Sequence, residues 1–200
     1  MPISETRPVR FALRAGYAFR LLRARHRPQP TDVPAVRSGD PRADRILLIG
    51  NGPSHGWGVI SHELGLTGRL AAAVAARTER PVDVDLVGAE SMNVRSAIAW
   101  IGDRDLACDD VVTLVLGTND AVRLTPLRIW RLELTRLLDH LEAGMRPEAA
   151  IAVAGIPPIR SFGPYSPFIA RVTERHRKQL NTATRQIVTR RRLRYIALPA

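Results

Sequence analysis

The sequence predicts a three-layer α/β/α domain built on a five-stranded parallel sheet. Short, continuous apolar runs recur along the chain, and segments of helical periodicity separate them. Length agrees: 200 residues, 45% of them hydrophobic, suffice for one α/β core but would leave two halves too small. Aromatic residues make up only 5%, so Val, Ile, Leu and Ala must fill the interior.

Residues 45–50 (RILLIG) form an apolar run ending in glycine, as a buried parallel strand does. Residues 64–77 are alanine-rich with leucines at helical spacing. Residues 82–87 read as a second strand, with Asp83 and Asp85 marking a wet face or end, and a helix begins at Val94. Residues 111–116 (VVTLVL) are the clearest strand. Residues 126–143 carry Leu127, Trp130, Leu134, Leu137, Leu138 and Leu141 on one broad helical stripe. A fourth strand at 150–155, a long helix at 168–190 and a fifth strand at 193–198 complete the pattern.

Residues 1–44 read differently from residues 45–200. Between Glu5 and Asp32 lie seven arginines and no acid, within a formal net charge of +11. Pro8 suits a first helical turn and Pro28 ends the periodicity, so residues 7–27 predict a helix with Phe11, Ala15, Ala18, Phe19 and Leu22 on one face. It suits an anionic membrane surface or a docking face better than a disordered basic tail. Residues 28–44, with four prolines and Gly39, read as a linker. A second cluster, Arg190, Arg191, Arg192 and Arg194, reads as solvated surface.

Cys108 is the only cysteine, so no intrachain disulfide can form, and its place before an apolar strand suggests packing. No secretory signal is visible, because Arg14 and Arg20 break the first apolar run. No run reaches the ~18 uncharged apolar residues of a spanning helix. The expected location is cytoplasmic, peripheral to a membrane.

In parallel sheets of this kind ligands bind beyond the carboxyl ends of the strands. The loops there carry Gly50-Asn51-Gly52-Pro53-Ser54-His55-Gly56-Trp57-Gly58, then Gly88-Ala89-Glu90-Ser91, Gly117-Thr118-Asn119-Asp120 and Gly155-Ile156-Pro157-Pro158. In this order they resemble the conserved blocks of the SGNH (GDSL-type) ester hydrolases, and Arg177, Leu180 and Asn181 resemble the helix that follows. The resemblance spans residues 45–198 and implies a flavodoxin-like sheet. It also implies a serine that attacks an ester carbonyl, an oxyanion hole of backbone amides and an asparagine, and a histidine base three residues after an aspartate. Such chemistry needs a base at hydrogen-bond distance from the hydroxyl and donors aimed at the developing charge.

By that resemblance Asn119 is the oxyanion asparagine and Ser91 stands where a glycine supplies its amide. Gly52 falls on the nucleophile, with Asn51 on the preceding aspartate. Ser54, two residues on, becomes a nucleophile only if the loop is re-formed, which Pro53 restricts. Ser91 is a second, unsupported replacement. His55 is adjacent to Ser54, and neighbouring side chains seldom meet on such a turn. Asp120 reads as a structural turn or capping carboxylate. No Asp-x-x-His occurs in the sequence. The family places it after the fifth strand, so the expectation is a truncated C-terminus or a lineage that has lost the pair. His62, His140 and His176 read as structural.

Three functions follow. One is a carboxylic ester hydrolase or acyltransferase acting on a small-molecule, lipid or carbohydrate ester, with activity in doubt at Gly52. The alternative is a non-catalytic ligand-binding protein at a membrane or on a partner. The third, nucleic-acid binding, rests on net charge alone and lacks interleaved aromatics, zinc spacing or a helix-turn-helix pattern. No cofactor or metal is expected. The last strand has no following helix, so association is expected unless residues 7–27 cover that face.

Overall fold

The computed structural model describes residues 28–159 and 167–198, apart from the side chains of Pro53 and residues 167–169. The predicted basic helix, residues 7–27, lies outside the described residues. In chain order the elements are β1 (Ala35–Val36), β2 (Asp44–Gly50), α1 (Leu66–Thr78), β3 (Val82–Gly88), α2 (Ala97–Ile101), β4 (Val111–Val115), α3 (Thr118–Val122), α4 (Leu127–Gly144), β5 (Ala150–Ala154), α5 (Pro167–Arg190) and β6 (Arg194–Ile196).

Among the described residues the sheet has six strands in the order β1-β3-β2-β4-β5-β6: the five expected parallel strands and one further edge strand. β2 to β6 are parallel throughout, and β1 is an antiparallel edge pairing Ala35 with Asp85 and Val36 with Val84. Residues 28–44 are therefore not a free linker. Besides β1, the Ser38 amide and hydroxyl both donate to Asp83 at 2.8 Å, and Arg37 pairs with Asp85. A two-residue strand carries no periodicity, and its partners lie some fifty residues away in sequence. Asp83 and Asp85, expected at a wet face, are thus engaged by this segment, and Arg104 also meets Asp85 at 2.8 Å.

Register assigns the faces. Leu47, Ile49, Val112, Leu114, Ile151 and Val153 point to one side, beneath α4 and α5, in the larger core. From α4, Trp130, Leu134, Leu137, Leu138 and Leu141 are buried there, at the expected helical spacing. Each such side chain contributes roughly 1.5–3 kcal/mol on burial. Trp130 Nε1 donates to Thr184 Oγ1 on α5 at 3.0 Å, which satisfies its polar edge. On the other side, Ile46, Leu48, Val82, Val84 and Leu86 pack against α1 through Ala71. Cys108 departs from expectation: it is exposed in a turn before β4, its thiol on Asp105 at 3.2 Å.

Setting β1 aside, the parallel strands run 3-2-4-5-6, the doubly wound order of flavodoxin-like sheets. The chain steps from β2 outward to β3 and then back past it to β4. In sheets of this order the ligand crevice lies at this reversal, beyond the carboxyl ends of β2 and β4.

Candidate active site

Two loops flank that crevice. After β2 the chain turns at once into a single 3₁₀ turn, Gly52–His55. Gly52 has φ +56°, in the left-handed region, and is buried, yet a Cβ built there would find its nearest neighbour, the Trp57 ring, at 4.0 Å. A strand breaking into a helical turn at a left-handed residue is the shape of a nucleophile elbow. Position 52 has that shape and the space, but no side chain.

Ser54 is turned the other way. It is 1% exposed, and its Oγ has no hydrogen-bond partner among the described residues. It packs over the end of β2: a Cβ at Gly50 would lie 2.5 Å from Ser54 Oγ, so only glycine fits there. The loop is not re-formed to present this hydroxyl.

Three of the predicted loops converge on one carbonyl. Asn51 Nδ2 donates to Met92 O at 2.7 Å. Asn119 Nδ2 donates to the same oxygen at 2.6 Å and to Glu90 O at 2.8 Å. Asn119 thus grips the chain on both sides of Ser91. Its amide nitrogen carries two hydrogens, and these two bonds use both. Asn51, Met92 and Asn119 are all buried, whereas Ser91 is exposed. To meet an oxyanion, Asn119 must release one carbonyl.

Asp120 pins the same corner. Its Oδ2 accepts from the Val94 amide at 3.1 Å and its Oδ1 from the Thr125 hydroxyl at 3.0 Å. Burial pushes its carboxyl above the usual range, against the opposing pull of these donors and of Arg123. At the fourth strand end, Asn181 brackets Ile156, accepting from its amide at 2.8 Å and donating to its carbonyl at 3.0 Å. Arg177 Nη1 reaches that carbonyl at 2.7 Å. The polar residues of α5 therefore hold the loop after β5.

Sequence reasoning missed one pair. His62 is 4% exposed, and its Nδ1 lies 2.8 Å from Asp32 Oδ1. The His62 backbone amide also donates to the Asp32 carboxylate, at 3.0 and 3.1 Å. Burial pushes the Asp32 carboxyl up, but the bonds from the His62 amide and ring outweigh this and hold it below the usual range. His62 Nε2, on the other side of the ring, is buried and meets no described group. The His55 ring is 6.4 Å away, edge-on, with burial first and His62 second lowering its pKa against a raising effect of Glu90. Nδ1 of His55, Nε1 of Trp57, Oγ1 of Thr67 and Oε1 of Glu90 are likewise buried without partners. The signal lay in the sequence as Asp32 and His62, but thirty residues and a segment read as linker separate them.

Ser54, Ser91, Gly52 and Asn119 thus lie on adjoining loops at one rim, but no serine hydroxyl there is joined to a histidine. His176 meets the backbone carbonyl of Thr125 at 2.8 Å instead of a serine hydroxyl. Among the described residues no group of three or more His, Cys, Asp or Glu side chains could hold a metal ion.

A doubly wound sheet with its polar loops gathered at the switch point is an architecture that places ligands at that rim. The chain belongs to the GDSL-like Lipase/Acylhydrolase family, whose profile matches residues 48–200. No curated protein matches it. Among solved structures it is similar to the SGNH-hydrolase family esterase AlinE4 (15% identity, 79% of this chain and 77% of that one, TM-score 0.60). The psychrotrophic esterase EstA from Pseudoalteromonas sp. is similar over 78% and 77% of the two chains, at 20% identity and TM-score 0.56. A lipase/acylhydrolase from Enterococcus faecalis aligns over 76% and 74%, at 18% identity and TM-score 0.59. At such identities the likeness establishes the fold alone.

Proposed function

We propose that this chain is an SGNH-fold protein that binds an ester or acylated ligand at the switch-point crevice without the serine route of hydrolysis. The observation that carries this reading is position 52, where the strand breaks into the turn but the residue is a buried glycine in the left-handed region. Two further observations support it. Ser54 buries its hydroxyl, and Asn119 spends both amide hydrogens on backbone carbonyls. Losing a triad nucleophile leaves only ~10³–10⁴-fold catalysis over water, from binding and oxyanion stabilisation.

The test uses p-nitrophenyl butyrate with the full-length chain. Binding without turnover raises the melting temperature in proportion to the logarithm of ligand concentration and releases no nitrophenolate. Sustained nitrophenolate release that disappears in Ser91→Ala would overturn the reading and restore the hydrolase.

A further inference from the structure

We propose that the corner formed by Val33, Ile60, Leu64 and Leu66 is a membrane-docking surface, taking the interface of a bilayer that contains anionic lipid. These four side chains are 74%, 70%, 51% and 37% exposed. Single exposed apolar residues need no explanation, but a group of them does. The Asp32–His62 bonds tie together the two segments that carry these side chains. Asp32 precedes Val33, Ile60 and Leu64 lie two residues either side of His62, and the His62 carbonyl accepts from the Gly65 amide at 3.2 Å, next to Leu66. Folding therefore spends a buried histidine and a carboxylate on holding a loop whose large apolar side chains face water.

Charge selects the occupant. The chain enters this corner from the N-terminal side: the Gly58 amide donates to Pro28 O at 2.9 Å, two residues from Ile60. Directly upstream of Pro28 lie the seven arginines, with no acid between Glu5 and Asp32. The acids at the corner itself are Glu63 and Asp32, the latter held by His62. A modest apolar surface that follows a strongly cationic stretch of sequence suits shallow insertion below anionic headgroups, where apolar and electrostatic terms add. No described helix is long and apolar enough to span a membrane, so attachment of this kind would be peripheral. The inference stands whether or not the crevice binds esters.

The test is vesicle co-sedimentation of the full-length chain on phosphatidylcholine alone and on phosphatidylcholine with about a third phosphatidylglycerol. Ile60→Asp/Leu64→Asp is compared with Trp100→Asp/Leu132→Asp, which makes the same change of charge at two side chains 49% and 45% exposed elsewhere. The wild type is expected to bind the anionic vesicles and to weaken with added salt. The corner variant should bind about tenfold or more weakly, and the control variant within about twofold of wild type. Circular dichroism establishes that each variant is folded. Equal binding by the corner variant, equal loss in both variants, or binding indifferent to phosphatidylglycerol would each overturn the proposal. So would a wild-type dimer that the corner variant dissociates in the absence of lipid.

Discussion

Replacing Ser54 with alanine distinguishes a nucleophile from a buried hydroxyl by the sign of its effect on stability. The side chain is 1% exposed and its Oγ has no partner among the described residues. Burying a hydroxyl without a hydrogen bond costs roughly 1–3 kcal/mol by protein mutational measures. Ser54→Ala removes that oxygen and keeps the Cβ that packs over Gly50. The only loss is a single atom's worth of packing, a few tenths of a kcal/mol at most contacts. The balance is a stabilisation of about 1 kcal/mol, which for a chain of 200 residues raises the melting temperature by about 2–4 °C. Differential scanning calorimetry of the two proteins reads it directly. A fall of several degrees would show that the hydroxyl holds a partner, and the reasoning about this loop would be refuted.

Asp32→Ala should lower the melting temperature at neutral pH, because the His62 amide and Nδ1 lose their acceptor while remaining buried. The folded-state pKa of Asp32 is depressed, so its contribution is complete above the ordinary carboxylate value and fades as pH falls through about 4 and below. Wild type and variant should therefore converge in acid, and a gap that widens there would contradict the assignment. Asp120→Ala strands the Val94 amide and the Thr125 hydroxyl and should cost about 2–4 kcal/mol in urea unfolding, with an unchanged m-value. A cost below about 0.5 kcal/mol would remove Asp120 from its structural role.

The fold was legible because its cues are local. Five parallel strands and the helices between them announce themselves by apolar runs and by the 3.6-residue stripe of α4; β2, β4, β5 and α4 bury most of the residues their patterns marked, whereas β6 and the leucines at the start of α1 stay largely exposed. Strand β1 escaped because two residues have no period and its stabilising partners, Asp83 and Asp85, belong to another element. At the site, motif order placed Gly52, Ser91 and Asn119 on adjoining loops. It could not show which way each side chain turns. Ser54 faces inward because Gly50 leaves room for it, and Asn119 is engaged because the loop around Ser91 offers two carbonyls within reach. The Asp32–His62 pair is a tertiary contact between a proline-rich approach and a glycine-rich loop, and neither segment carries a pattern that predicts the other.

Intact-mass analysis after exposure to a serine-directed fluorophosphonate tests the vacant elbow most directly. A chain with glycine at position 52 and a sealed hydroxyl at Ser54 should keep its mass, even at high reagent concentration. A single phosphonyl adduct that maps to Ser54 or Ser91, and that does not form when the protein is unfolded before exposure, would mean that an activated serine is present after all.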